Sequence, residues 1–260
     1  MMYTDQLDRK LNLPNIPKRI VSLVPSQTEL LVELGLKDNI VGVTKFCVHP
    51  DKIRKEKSII GGTKKVNYEK IKKLNPDIIL CNKEENTKEI VETLQKEYVV
   101  HVSDVFSIKD AIRMIQQYGQ IFKKESTANQ LIIAIKSEQQ SFLDFIAKTS
   151  KKRVAYFIWK NPWIAVGNNT FIDHLLQVNN FENIFRDRNR YPEVSIEDIE
   201  SFKEQDLILL SSEPYPFSEQ HISEIKKINN KAKIILVDGE YFSWYGSRLA
   251  NAFSYFKTLH

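Results

Sequence analysis

Residues 20–24, Ile-Val-Ser-Leu-Val, are mostly apolar, and the length and β-branched content of this segment predict a strand. Beyond Pro25-Ser26-Gln27, the residues Leu30, Leu31, Leu34 and Leu36 recur at helical spacing until Gly35 and Asp38-Asn39 end the pattern. Thr28 is the expected N-cap, which puts Glu29 in a first turn where the helix dipole favours an acid. Residues 40–43 read as the next strand, 68–74 as a helix stopped by Asn75-Pro76, and 77–81 as a buried strand. Residues 89–97 are helical and 99–102 extended. Strands alternating with helices predict a parallel sheet covered on both faces. The alternation then stops for two helices, over residues 107–122 and 125–148. The second keeps an apolar face through Leu131, Ile132, Ile135, Phe142, Phe145 and Ile146, and would run about 36 Å. Strand-like residues 154–158, 206–210 and 234–237 follow.

The two halves repeat a pattern. Val66-Asn67-Tyr68-Glu69-Lys70-Ile71, then Asp77-Ile78-Ile79-Leu80, returns as Val194-Ser195-Ile196-Glu197-Asp198-Ile199, then Asp206-Leu207-Ile208-Leu209. Residues 28–34 line up in the same order with 170–176. A duplicated α/β unit accounts for this. The expected architecture is therefore two α/β, Rossmann-like lobes with parallel sheets, spanning residues 1–122 and 151–260. A long rigid helix at 123–150 joins them, and a ligand cleft lies between.

Composition narrows the class. With 42% hydrophobic and 27% charged residues, the chain is neither disordered nor fibrous. The net charge of +5 is spread along the chain, and the runs Lys64-Lys65, Lys123-Lys124 and Lys151-Lys152-Arg153 read as solvated surface without a nucleic-acid motif. Two cysteines, Cys47 and Cys81, make no disulfide framework. The N-terminus, Met1 to Gln6, is polar and no apolar segment with a small-residue cleavage site follows it, so no secretory signal is expected in this chain.

Ligands of open parallel sheets sit beyond the carboxyl ends of the strands. Here those ends are residues 25–27, 45–49, 82–85 and 104–106 in the first lobe, and 159–163, 212–217 and 238–245 in the second. They carry all three tryptophans, Trp159, Trp163 and Trp244, together with Phe46, Tyr215, Tyr241, Phe242 and Tyr245. Aromatic side chains gathered in loops predict a flat apolar binding surface; replacing Trp244 by Ala is expected to weaken binding and spare stability. Arg248 and Lys45 are candidates for an anionic ligand. Cys47-x-His49 offers a thiol and an imidazole, which with Glu85 (or its neighbour Glu84), Glu213 and Asp238 or Glu240 would make a metal site. The alternatives are a buried Cys47 beside a turn at His49-Pro50, and carboxylates that cap helices. A Cys47/His49 nucleophile–base pair is a third reading.

The stretch Arg19-Ile20-Val21-Ser22-Leu23-Val24-Pro25-Ser26-Gln27-Thr28-Glu29 resembles the opening of periplasmic binding proteins for cobalamin and iron-siderophores. So do Ile40-Val41-Gly42-Val43-Thr44, Gly61-Gly62, Leu74-Asn75-Pro76-Asp77 and Asn183-Ile184-Phe185. Phe46-Cys47-Val48-His49-Pro50 and Ser243-Trp244-Tyr245-Gly246-Ser247-Arg248 are similar to segments of the helical-backbone metal receptor group. The resemblance implies a non-enzymatic, monomeric receptor in the periplasm or at the cell surface. It would clamp an iron-siderophore, haem or cobalamin-like metal chelate and deliver it to an ABC permease that docks on Glu69 and Glu197. It implies no certain cofactor besides a bound metal ion or chelate. The alternatives are a cytoplasmic receptor for a bare metal ion, through Cys47, His49 and carboxylates, and a cysteine-dependent hydrolase.

Overall fold

The polar N-terminus folds into a hairpin. Strands β1 (Met2–Thr4) and β2 (Lys10–Asn12) pair antiparallel, with Tyr3 opposite Leu11. Asp5, at the turn, is fully buried; its carboxylate accepts bonds from the backbone N–H of Leu7, Arg9 and Val102 and from the Arg9 guanidinium. A buried carboxylate is tolerated only when so fully bonded, and here it ties the hairpin to the sheet behind it.

Next come β3 (Ile20–Ser22), α1 (Pro25–Glu33), β4 (Ile40–Val43), α2 (Ile53–Glu56), β5 (Ser58–Ile59), α3 (Tyr68–Leu74), β6 (Ile78–Asn82), α4 (Lys88–Leu94), β7 (Val100–Ser103), α5 (Ile108–Phe122) and the 22-residue α6 (Glu125–Ile146). The sheet runs β5-β4-β3-β6-β7 and every pair is parallel. β3, β6 and β7 are buried at every position, so β6 reads as an apolar run up to Asn82, whereas β7 buries the polar His101 and Ser103. Val21, Leu23, Ile71, Ile79, Cys81 and Val102 make the core beneath the helices on one face.

The second half continues with β8 (Lys152–Trp159), β9 (Ile164–Ala165), α7 (Phe171–Val178), β10 (Phe181–Asn183), α8 (Ile196–Glu200), β11 (Leu207–Ser211), α9 (Glu219–Ile228), β12 (Lys233–Val237), α10 (Glu240–Ser243) and α11 (Leu249–Lys257). The parallel order is β10-β8-β11-β12, with β9 antiparallel on β8. Ala155, Phe157, Phe185, Ile199, Phe202, Ile208 and Leu210 form its core.

This computed structural model describes all 260 residues and resolves two compact units, Met1–Lys136 with Trp244–Ala250, and Ser137–Ser243 with Asn251–His260. The division falls inside α6, and residues 244–250 group with the first unit although they follow the last strand of the second. The reason is local. The Arg248 guanidinium grips Glu29 through two bonds, at 2.6 and 3.2 Å, and Gly246 lies against Leu30 and the Ser26 carbonyl.

α1 starts four residues earlier than the expected cap at Thr28 implies, with Val24 at the N-cap position. Pro25 fits the first helical position, where its missing N–H costs nothing, so Thr28 is not the cap. Thr28 is instead buried inside the helix, bonded to Ser22 Oγ at 2.8 Å and facing Cys47 Sγ at 3.2 Å. Gly35 ends the helix in the left-handed conformation, at φ +73°. No helix is long and apolar enough to cross a membrane.

Candidate ligand-binding loops

In the first unit, Asn82 closes β6 and organises the loop after it. Its side-chain oxygen accepts the Glu84 and Glu85 N–H groups at 2.8 and 3.1 Å, and Asn86 donates onward to the Thr63 carbonyl at 2.9 Å. Glu84 and Glu85 are half-buried there. The loop after β4 carries Lys45, exposed Phe46, buried Cys47 and half-buried His49. The Cys47 thiol sits between the Thr28 and Thr44 hydroxyls, at 3.2 and 3.3 Å, and burial pushes its pKa up. A nucleophile needs the opposite shift, so this environment suits an inert core thiol. Cys81, fully buried, is pushed up to about 12 by the same desolvation.

Trp244 is 6% exposed; the His49 ring meets it edge-on at 5.3 Å, and the Arg248 guanidinium lies over its face at 4.8 Å. Arg248 therefore spends its planar fork on Glu29 and its cation on an indole. Tyr245 is also buried, and desolvation, with the Glu85 charge second, drives its phenol well above the usual range. The burial of Trp244 speaks against the expectation that its loss would spare stability.

In the second unit, β8 ends on Trp159, which is 40% exposed. Its ring meets Tyr215 edge-on at 5.6 Å, Tyr215 meets Phe217 at 4.7 Å, and Trp163 stacks on Phe217 at 5.9 Å with the planes only 6° apart. His221 braces this row from within α9. It accepts the Ser218 N–H at Nδ1 (2.9 Å), which leaves its proton on Nε2, 3.1 Å from the Tyr215 hydroxyl. Lys160 lies over Trp163 at 5.7 Å and pairs with Glu224. Phe217 and His221 escaped the sequence reading, since nothing local marks them as partners of Tyr215.

Other expected site residues are committed to structure. Phe242 is fully enclosed against Tyr156 and Phe256, at 5.0 and 4.8 Å, which leaves it no surface for a ligand. Tyr241 stacks on Tyr255 at 4.6 Å. Asp238 accepts the Glu240 N–H at 3.0 Å in the turn that leads into α10, and Glu213 accepts the Ser243 hydroxyl. No group of three His, Cys, Asp or Glu side chains gathers to hold a metal ion, because Cys47 faces threonines and His49 faces Trp244.

The repeated motif folds alike in both units. Asn67 caps α3 by accepting from Lys70 N–H at 2.9 Å; Ser195 and Asp198 form a reciprocal cap on α8. Each cap is followed by an exposed apolar residue (Tyr68, Ile196), an exposed glutamate (Glu69, Glu197) and a buried isoleucine (Ile71, Ile199). The backbone N–H and the Ser195 hydroxyl hold the Glu197 carboxyl below its usual value.

Residues 20–233 match the family model described as periplasmic binding protein. Over 203 residues the chain is 29% identical to an ABC transporter substrate-binding lipoprotein of Bacillus subtilis, covering 75% of this chain and 64% of that protein. It thus spans less than two thirds of that relative's length. A vitamin B12-binding protein of Yersinia pestis is 26% identical over 202 residues, covering 76% and 72% of the two chains. The fold is shared with a periplasmic haem-binding protein of Roseiflexus, at a TM-score of 0.80 and 19% identity, covering 93% of this chain and 97% of the other. With 20–233 matched and a parallel α/β sheet in each unit, the chain belongs to the periplasmic binding protein family.

Proposed function

We propose that this chain is the substrate-binding component of an ABC importer and takes a metal chelate of the corrinoid, haem or ferric-siderophore kind. The observation that carries this reading is the aromatic row Trp159–Tyr215–Phe217–Trp163 at the strand-end loops of the second unit, where the 40%-exposed Trp159 and the half-buried Tyr215 and Trp163 are backed by the buried Phe217. Offset and edge-on aromatic contacts suit the broad face of a macrocycle or an aryl-bearing chelator. The relatives that bind vitamin B12 and haem support the ligand class, and the binding-protein character of the family speaks for a receptor rather than an enzyme. Burial of the Cys47 thiol argues against the hydrolase, and its two threonine partners against a bare-ion site.

In this reading Glu69 and Glu197 face a permease, each on an exposed first turn, and the protein works in the periplasm or at the cell surface. The test is direct titration of the full chain with haem and with cobalamin, followed by tryptophan fluorescence and absorbance, alongside elemental analysis of freshly purified protein. One-to-one binding with a Kd in the micromolar range or below is expected for at least one chelate. Absence of binding to both, with no metal in the purified protein, would overturn the reading.

A further inference from the structure

A cavity of about 580 Å³ opens in the first unit between the loop after β4 and the turn after β5. Lys45, Phe46, Gly62, Lys64, Lys65 and Val66 are among the residues that line it, and no acidic residue does. Three lysines and no carboxylate along the lining give the cavity a positive field. Phe46 contributes the apolar part. It is 49% exposed yet held in place, with Lys45 Nζ 5.0 Å from the ring centre and Gly62 directly beneath. A Cβ at Gly62 would come within 3.1 Å of Phe46 Cε2, so glycine lets the ring settle onto the backbone.

The walls are fixed before any ligand arrives. Lys45 N–H donates to the Gly61 carbonyl and Gly62 N–H to the Lys65 carbonyl, both at 2.8 Å. Lys64 Nζ donates to the Glu84 carbonyl, which joins the cavity to the loop that follows β6. An exposed phenylalanine pinned among lysines gains little from folding; it gains from a partner that brings both a flat apolar face and negative charge.

We infer that this cavity binds an aromatic group bearing a negative charge. The inference rests on the chelate reading for its natural ligand, and narrows it to chelates whose periphery is aryl or otherwise planar and anionic, as opposed to an uncharged corrinoid rim.

Two fluorescent dyes test the cavity without any chelate: 1-anilinonaphthalene-8-sulfonate and the uncharged N-phenyl-1-naphthylamine, which share one ring system. The sulfonate should bind the full chain at least about tenfold more tightly and weaken as salt rises. The variant K45Q/K64Q/K65Q, altered only at exposed positions, should lose about tenfold for the sulfonate and keep its affinity for the neutral dye. Phe46→Ala should weaken both dyes, and the Gly62 and Val66 amide resonances should shift on titration. Equal affinity for the two dyes, or full retention of sulfonate binding by the lysine variant, would overturn the inference. The same lysine variant titrated with haem should lose affinity for its propionates; unchanged haem binding sinks the narrowing to anionic chelates. Failure of haem and cobalamin to bind even the unaltered protein would instead count against the chelate reading, and the dye pair would still decide the cavity.

Discussion

Trp159, the last residue of β8 in the second unit, and Trp244, which follows α10 and groups with the first unit, are held in opposite ways. Trp244 is 6% exposed, covered on its face by Arg248, met on its edge by His49, and anchored through Arg248 to Glu29. Trp159 is 40% exposed and touches Tyr215 along one edge. The first indole is a fastener, which ties the segment 244–250 to the unit it groups with; the second is a surface. Residue type is the same for both, and the sequence places both among the loop aromatics beyond the strands, so what separates them is the charge network around the first.

The largest effect expected from breaking this contrast is therefore Trp244→Ala. Removing a buried tryptophan leaves a cavity and an unstacked guanidinium, at a cost of about 3–5 kcal/mol. Differential scanning calorimetry should show Tm falling by about 10 °C. A Tm within a degree of the unaltered protein would show that Trp244 is no fastener.

Acid tests the first unit next, through a histidine fully buried on its last strand. His101, fully buried on β7, has its pKa lowered to about 4, by desolvation first and against the pull of the Asp5 carboxylate. Its other neighbours are the buried Tyr118, ring to ring at 5.2 Å, and the half-buried Gln117, 3.3 Å from Nε2. The folded state keeps this imidazole neutral while the unfolded chain takes a proton near its ordinary value of 6.5. Stability is thus full above pH 7, falls as pH drops from about 6.5 toward 4, and loses up to about 3 kcal/mol through this group. Urea midpoints at pH 7.5 and 4.5, with amide exchange on β7 and β11, check it: β7 should lose protection first. Equal loss on both strands would refute the assignment.

These two cases also mark what the sequence could reveal. β3, β6, β8 and β11 were legible because both faces of a parallel sheet are covered, so burial writes an unbroken apolar run. The repeated motif was legible because cap and helix lie within six residues. The β1–β2 hairpin was not, since it offers one buried side chain per strand at most and draws its anchorage from Asp5, which bonds a residue 97 positions away. The Glu29–Arg248 pair spans 219 positions. Local pattern carries no trace of such a bond, and without it Trp244 reads like any other loop aromatic. The same limit hid Cys47: its spacing to His49 suits a metal, whereas its environment is set by Thr28, 19 residues earlier.

The smallest expected effect on stability, and the largest on binding, comes from Trp159→Ala. Only part of this side chain leaves water on folding, its one ring contact is the edge of Tyr215, and Tyr215 keeps Phe217 and His221 when the indole is gone. Loss of one edge-on contact and half a buried face should cost about 1 kcal/mol, a few degrees of Tm at this chain length. The chelate, by contrast, loses a face on which to stack, and its Kd should rise at least about tenfold. Trp159→Phe should recover most of that, because it restores a ring at the strand end, whereas Trp159→Leu restores area without a π face and should recover less. If the alanine variant binds as tightly as the unaltered protein while melting several degrees lower, the two tryptophans have the same job, and the aromatic row of the second unit is packing rather than a place for a ligand.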